Sequence, residues 1–135
     1  MICLAFDVGK KWGWAVIADG EVYASGSGVF KEILAFEKEI KDLIELYKPE
    51  VVGTALPNRF YNTMKTHFKY ITVIELCWKK YSGSDFLPLY DSEIKKGIYG
   101  TTKVEKTAVK DRFGGETEDE ADAIMMGMYL HKVVK

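Results

Sequence analysis

Three aspartates near the two ends of this 135-residue chain are the residues best suited to carry chemistry. Asp7 directly follows the apolar run at residues 1–6, which predicts a carboxylate at the end of a buried strand. Open α/β sheets usually bind their ligands at that edge. Asp119 and Asp122 lie three residues apart, a spacing that places both carboxylates on one face of a helix. Two carboxylates one turn apart repel each other, and a divalent cation would offset most of that repulsion.

Each of these groups also has an ordinary structural explanation. Asp7 could simply end a strand in a turn, and an acidic pair in a first helical turn is favoured by the helix macrodipole. The combination of a strand-end aspartate with a late Asp-x-x-Asp is more specific. Oxygen ligands without a cluster of His and Cys suit Mg²⁺ or Mn²⁺ rather than zinc. Two Mg²⁺ ions about 4 Å apart are the usual machinery of phosphodiester hydrolysis, so the three aspartates are candidate metal ligands.

The elements that must position these side chains follow from the hydrophobic pattern. Three hairpin-like strands come first, and strands and helices alternate after them. Strands are predicted at residues 1–6, 12–18, 21–30, 50–55 and 86–90, and helices at residues 31–47, 57–80, 91–96, 102–112 and 117–132. This order predicts an α/β fold, a five-stranded mixed sheet with helices on both faces, in a single domain over residues 1–135.

Several local features sharpen that prediction. Gly26 and Gly28 weaken the third strand and suggest a bulge there. Thr102 and Thr117 each have a glutamate three residues on, the pattern of a capping box, and so predict the starts of the last two helices. Residues 97–102 are predicted to form a loop between helices.

Composition and charge narrow the class of protein. A hydrophobic share of 47% indicates a globular chain rather than a disordered one. Both cysteines lie in apolar runs, which predicts buried free thiols, and no apolar stretch is long enough to span a membrane. We therefore expect a cytoplasmic protein that makes no use of a membrane. Residues 59–112 carry 11 Lys and Arg against 6 Asp and Glu, which suits a phosphate-binding surface beside a carboxylate site, or simply a solvated helix face.

Three segments together resemble the RuvC-type Holliday junction resolvases. The letters CLAFDVG at residues 3–9, followed by GWAVI at residues 13–17, are similar to the family's opening Asp-x-Gly strand and the strand after it. The letters DEADA at residues 119–123 resemble its closing Asp-x-x-Asp-Ala helix. Residues 94–106 resemble, without gaps, the segment that holds two functional lysines. The small and divergent chain is more similar to phage or viral members than to cellular ones.

The resemblance implies an RNase H-like fold and a nuclease that cuts branched DNA, especially four-way junctions. It implies that Asp7, Asp119 and Asp122 hold two Mg²⁺ ions, for which Mn²⁺ can substitute. The two lysines fall on Lys95 and Lys106, and Lys106 is the one placed next to the scissile phosphate. The family acts as a homodimer, and the apolar residues of the predicted helix at residues 57–80 could contribute to such an interface, although they could equally be core.

One position departs from the family pattern. Where the fourth strand of the family ends in a metal-binding glutamate, this chain has Ala55. Either this branch lacks the ligand naturally, or the glutamate was deliberately replaced to trap an intact complex, and the second interpretation is favoured here. The family's base-stacking aromatic falls on Asn58, so Phe60 and Tyr61, beside Arg59, are the nearest candidates for DNA contacts.

Three other interpretations compete. The YqgF-like branch of the same fold, linked to ribosomal RNA maturation, opens with a motif similar to residues 7–13, although the lysine segment favours the resolvase. A non-catalytic junction-binding protein could have lost its metal site through Ala55. An actin-like ATPase also opens with Asp-x-Gly, but that fold needs two such domains, and 135 residues supply one.

Overall fold

The structure, a computed structural model, describes residues 1–9, 11–56 and 65–134. Its strands are β1 Ile2–Val8, β2 Trp12–Ala18, β3 Glu21–Gly28, β4 Val51–Leu56 and β5 Leu87–Tyr90. Its helices are α1 Ile33–Tyr47, α2 Lys65–Ser82, α3 Asp91–Tyr99, α4 Lys106–Phe113 and α5 Glu118–Val134. The ten predicted elements are therefore all present, with most boundaries within a few residues of the predicted ones. The predicted start of the second helix, at residue 57, lies outside the described residues.

The five strands form one mixed sheet in the order β3-β2-β1-β4-β5. β1, β2 and β3 pair antiparallel through hairpin connections, whereas β4 is parallel to β1 and β5 is parallel to β4. Because β1, β4 and β5 are parallel, their carboxyl ends meet at one edge of the sheet. The predicted five-stranded mixed sheet is confirmed.

Helices cover both faces of this sheet. Since successive side chains of a strand point to opposite faces, β1 contributes Leu4 and Phe6 to one core and Cys3 and Ala5 to the other. The first core is completed by apolar residues of α1 and α2, and the second by residues of α3, α4 and α5. The sheet is thus buried on both sides, as the continuous apolar character of β1 predicts.

The glycines of β3 serve a different purpose from the predicted one. The register shift lies opposite Val16 and Ile17 of β2, so Gly26 and Gly28 are not the bulge. Each pairs across the strands with a tryptophan of β2, and a Cβ on Gly26 would lie 2.8 Å from Nε1 of Trp14. The missing side chains therefore make room for indole rings that lie flat across the edge strand.

Two helix boundaries also differ from the sequence-based prediction. α3 continues through residues 97–99, which were predicted as loop, and ends at Gly100 in a left-handed conformation. α4 begins at Lys106 with Glu105 as an extended N-cap that makes no side-chain cap, so the predicted cap at Thr102 is wrong. The physical reason is local, because Thr101 Oγ1 accepts a hydrogen bond from the N–H of Lys103 and holds this stretch in a turn.

Both cysteines are buried and free, as predicted, with Cys3 in the core under α5 and Cys77 in the core under α1 and α2. Across the parts of the chain that the structure describes, no helix combines the length and apolarity needed to cross a membrane.

Candidate metal and nucleic-acid site

The site forms where the carboxyl ends of β1, β4 and β5 meet the first turn of α5. Asp7 is the last but one residue of β1 and lies on the face that α5 covers. Asp119 and Asp122 both lie in the N-terminal half of α5. The structure therefore brings the three sequence-predicted aspartates to one place, although more than a hundred residues separate Asp7 from the other two.

Close backbone contact fixes Asp119 above the end of β1. A Cβ on Gly13 would lie 2.1 Å from the backbone oxygen of Asp119, so only glycine lets the first turn of α5 approach β2 this closely. On the side-chain end, Asp119 Oδ2 accepts a hydrogen bond of 3.2 Å from the N–H of Lys11. The carboxylate is thereby held in the turn that joins β1 and β2.

Glu120 anchors the same end of α5 on the sheet. It is 8% exposed, and its carboxylate accepts hydrogen bonds from Ser25 Oγ at 2.7 Å and from the N–H of Glu116 at 2.8 Å. Its own N–H donates to Thr117 Oγ1 at 3.1 Å, as the predicted cap requires. In a capping box the glutamate accepts from the N–H of the capping residue, here Thr117, whereas Glu120 accepts from the N–H one residue earlier, at Glu116. Its bond to Ser25 also links α5 to β3.

The electrostatics of the site show strong mutual repulsion. Burial, reinforced by the charges of Asp122 and Asp119 and by a hydrogen bond to Asp119, raises the pKa of Asp7 well above its usual value. Burial first, and then the charges of Asp91 and Asp119, raise the pKa of Asp122 to about 6. Both shifts favour the neutral form of these two carboxyl groups, and a bound divalent cation would instead favour the ionised form.

An open cleft of about 590 Å³ runs past these carboxylates. Its lining includes Asp7, Gly9, Lys11, Ala55, His67, Ile71, Asp91, Lys106, Glu118, Asp119 and Asp122. Sequence reasoning missed two acidic members of this lining, Glu118 and Asp91, and Asp91 is the first residue of α3. The only signal in the sequence is that it directly follows the strand at residues 87–90, as Asp7 follows an apolar run.

The donor set fits a hard divalent cation held in an open site. Four acidic residues contribute to the site, Asp7, Asp91, Asp119 and Asp122. Their carboxylates are the ligands that Mg²⁺ and Mn²⁺ prefer. Among the described residues, no three or more carboxylate, histidine or cysteine side chains are already placed so that together they could hold a metal ion. Mg²⁺ commonly keeps several waters and binds through one or two carboxylates together with substrate phosphates, so an open partial set suits it.

The two predicted DNA-contacting lysines take different positions. Lys106 lies at the cleft with its side chain 75% exposed, and its Nζ is 3.7 Å from Glu118. Lys95 is 20% exposed, and its Nζ forms an ion pair of 2.8 Å with Asp91. Both lysines oppose the rise of the Asp122 pKa, so both lie close enough to influence the acidic cluster.

Four sequence-predicted positions remain, and the structure describes one of them. Ala55 lines the cleft near the end of β4, so the position assigned to the family's glutamate lies at the site. Arg59, Phe60 and Tyr61 lie outside the described residues, and their DNA contacts stay predictions.

Comparisons with known proteins bear on the fold. The sequence matches no protein-family model and no curated protein. The structure is similar to Thermus thermophilus RuvC in complex with a Holliday junction substrate, with a TM-score of 0.75 and 11% identity over 95% of this chain and 91% of that chain. A second Thermus thermophilus RuvC structure gives a TM-score of 0.75 and 13% identity over 98% of this chain and 97% of that one.

A viral protein of the same kind also matches over its full length. The Fowlpox virus resolvase, in complex with Holliday junction DNA, gives a TM-score of 0.60 and 17% identity over 100% of both chains. Each of these three matches covers at least 95% of this chain and at least 91% of the matched chain. The chain has the RNase H-like fold of the RuvC-type resolvases.

Proposed function

We propose that this chain is a single-domain, Mg²⁺-dependent endodeoxyribonuclease that binds and cuts four-way DNA junctions. The observation that carries the proposal is the convergence of Asp7, Asp119 and Asp122 on one cleft of a RuvC-type fold. Burial and neighbouring negative charge raise the pKa of Asp7 and of Asp122, which supports a cation-binding role for this site. The structures that match this fold along its whole length include two resolvases bound to Holliday junctions.

The residues of the cleft have distinct parts in this mechanism. Bound Mg²⁺, or Mn²⁺ in its place, would activate a water and stabilise the leaving 3′ oxygen. Cleavage with two such ions would yield products with 5′-phosphate and 3′-hydroxyl ends. Asp7, Asp119 and Asp122 would hold the ions through their carboxylate oxygens. Lys106 is exposed at the cleft and would stabilise the negative charge that develops on the phosphate.

The alanine at position 55 bears on whether this chain can cleave DNA. A methyl group near the end of β4 supplies no ligand, so the site lacks the carboxylate that the resemblance places there. We propose that the chain with alanine at position 55 binds four-way junctions but does not cut them, and that Ala55→Glu restores cleavage. This position also supports a second candidate function, a junction-binding protein without catalytic activity.

A homodimer is the assembly that this function favours, because two symmetric nicks on opposing strands need two identical sites. The exposed side of α2, which includes Leu76 and Tyr81, offers apolar surface for it. Sedimentation at micromolar concentration, with and without junction DNA, tests this part of the proposal. A stable monomer in both conditions would contradict it.

The decisive experiment compares Ala55→Glu with Ala55→Glu/Asp7→Asn on labelled four-way junctions, in Mg²⁺ and in EDTA. We expect Mg²⁺-dependent cleavage by the first variant and none by the second. Both should bind the junction equally, because binding depends mainly on phosphate contacts. Cleavage at the same rate by both would refute the site, and cleavage of a structured RNA but of no DNA junction would favour the RNA nuclease alternative.

A further inference from the structure

The neighbouring strand offers a carboxylate close to the place where β4 lacks one. β4 and β5 run parallel, and Ala55 pairs with Leu89 while Leu56 pairs with Tyr90. Asp91 follows Tyr90 and begins α3. The register therefore puts Asp91 at the carboxyl end of the strand next to β4, one step beyond the level of Leu56.

Asp91 shares the cleft of the other acidic residues. It lines the same cavity as Asp7, Ala55, Asp119 and Asp122. Asp7 marks the end of β1 and Asp122 the first turns of α5, so Asp91 approaches the cluster from a third element.

The ion pair of Asp91 leaves it capable of a second role. Lys95 contacts Oδ2 at 2.8 Å, and the side chain of Asp91 remains 56% exposed. Although Lys95 itself is only 20% exposed, the exposed carboxylate of Asp91 has a second oxygen that could contact a cation in the cleft.

A comparable pair elsewhere shows what a purely structural role looks like. Asp42 of α1 forms the same i, i+4 pair with Lys38 at 2.9 Å, with its side chain 60% exposed. Asp42 lies on α1 and is not among the residues that line the cleft, whereas Asp91 is one of them. Both residues therefore pair with a lysine, but of the two only Asp91 lies beside the acidic cluster.

We propose that Asp91 is a ligand for the divalent cation of this site and supplies from β5 the carboxylate that β4 lacks at Ala55. The inference rests on the proposed function, because it assumes that the cleft holds such an ion. It gives the chain an arrangement of its own, in which the fourth acidic ligand comes from the adjacent parallel strand. Lys95 then neutralises this carboxylate when no cation is bound.

Binding of Mn²⁺ alone, without DNA, tests the proposal by a readout independent of cleavage. Electron paramagnetic resonance titration of free Mn²⁺ would compare the chain as given with Asp91→Asn, Asp91→Glu and the matched control Asp42→Asn. We expect Asp91→Asn to weaken Mn²⁺ binding by roughly tenfold or more, a typical loss for metal-site residues. Asp91→Glu should retain most of the affinity, and Asp42→Asn should leave it unchanged.

A second pair of variants checks that Asp91 replaces the carboxylate missing at position 55. Ala55→Glu should restore Mn²⁺ binding when combined with Asp91→Asn, because one of the two neighbouring strands again supplies an acidic ligand. Equal Mn²⁺ affinity in the chain as given and in Asp91→Asn, with circular dichroism showing both folded, would overturn the assignment of Asp91 while leaving the proposed function intact. Absence of Mn²⁺ binding in every variant, including Ala55→Glu, would instead refute the metal dependence and the Asp91 proposal with it.

Discussion

Glu120 offers the sharpest test of how the fold holds its acidic site together. Replacing it with alanine removes the acceptor of two hydrogen bonds, from Ser25 Oγ at 2.7 Å and from the N–H of Glu116 at 2.8 Å. Bonds to a charged acceptor contribute about 1.5–3 kcal/mol each. Part of this gain is offset, because the folded chain bears the cost of keeping a carboxylate 8% exposed. The expected loss in the free energy of unfolding is therefore about 2–3 kcal/mol.

Urea unfolding monitored by circular dichroism measures this loss, and Glu118→Ala provides the control. Glu118 is a neighbour in the same helical turn, but its side chain is 60% exposed and its contact with Lys106 is long, at 3.7 Å. A pair of this kind contributes about 0–1 kcal/mol, so Glu118→Ala should lie close to the unaltered chain. Glu120→Gln should fall between the two, since an amide can accept one of the hydrogen bonds.

The comparison has a clear contrary outcome. If Glu120→Ala and Glu118→Ala lowered the free energy of unfolding by the same small amount, the buried carboxylate would not anchor α5 to β3. The account of how Asp119 is held over β1 would then lose one of its supports. The approach of α5 to Gly13 would have to fix that position without help from the glutamate.

Two further predictions follow from charge. The pKa of Asp122 is about 6 in the folded chain against 3.8 for an ordinary aspartate. This group therefore contributes stability to the metal-free fold that is fully present at low pH and is lost as the pH rises from about 4 to about 6. After allowance for partial exposure the loss is about 1–2 kcal/mol, and urea midpoints in EDTA should show it in the unaltered chain and less of it in Asp122→Asn. Junction affinity should fall at least roughly tenfold between about 50 and 200 mM salt, and Lys106→Ala should reduce the slope of log affinity against log salt by about 1, whereas Lys38→Ala on α1 should not.

The parts of the site that the sequence predicted are those with a strong local signal. Asp7 ends an unbroken apolar strand, and the pair in α5 follows a helical spacing behind a capping threonine. Asp91 had no such signal, because an acidic residue in a first helical turn is common. Its position beside Ala55 arises from the parallel pairing of β4 with β5, which joins residues more than thirty positions apart.

The same distinction explains the errors in the fold. The sheet, its helices on both faces and most element boundaries could be predicted from hydrophobic periodicity. The cap at Thr102 was wrong because the threonine before it holds the chain in a turn, so α4 starts four residues later. The role of Gly26 was missed because a glycine in a strand shows only that a side chain is absent. The sequence does not reveal that the ring of Trp14 occupies that space.

The two buried thiols give each layer of the fold its own chemical reporter. Cys3 lies beneath α5, whereas Cys77 lies on the opposite side of the sheet with α1 and α2, and burial raises the pKa of both thiols. A thiol reagent can reach either sulfur only when the layer above it opens. The rates at which the two cysteines are labelled therefore time the opening of each helical layer separately. The acidic cleft belongs to the layer timed by Cys3, so cation binding should slow the labelling of that sulfur more than that of Cys77.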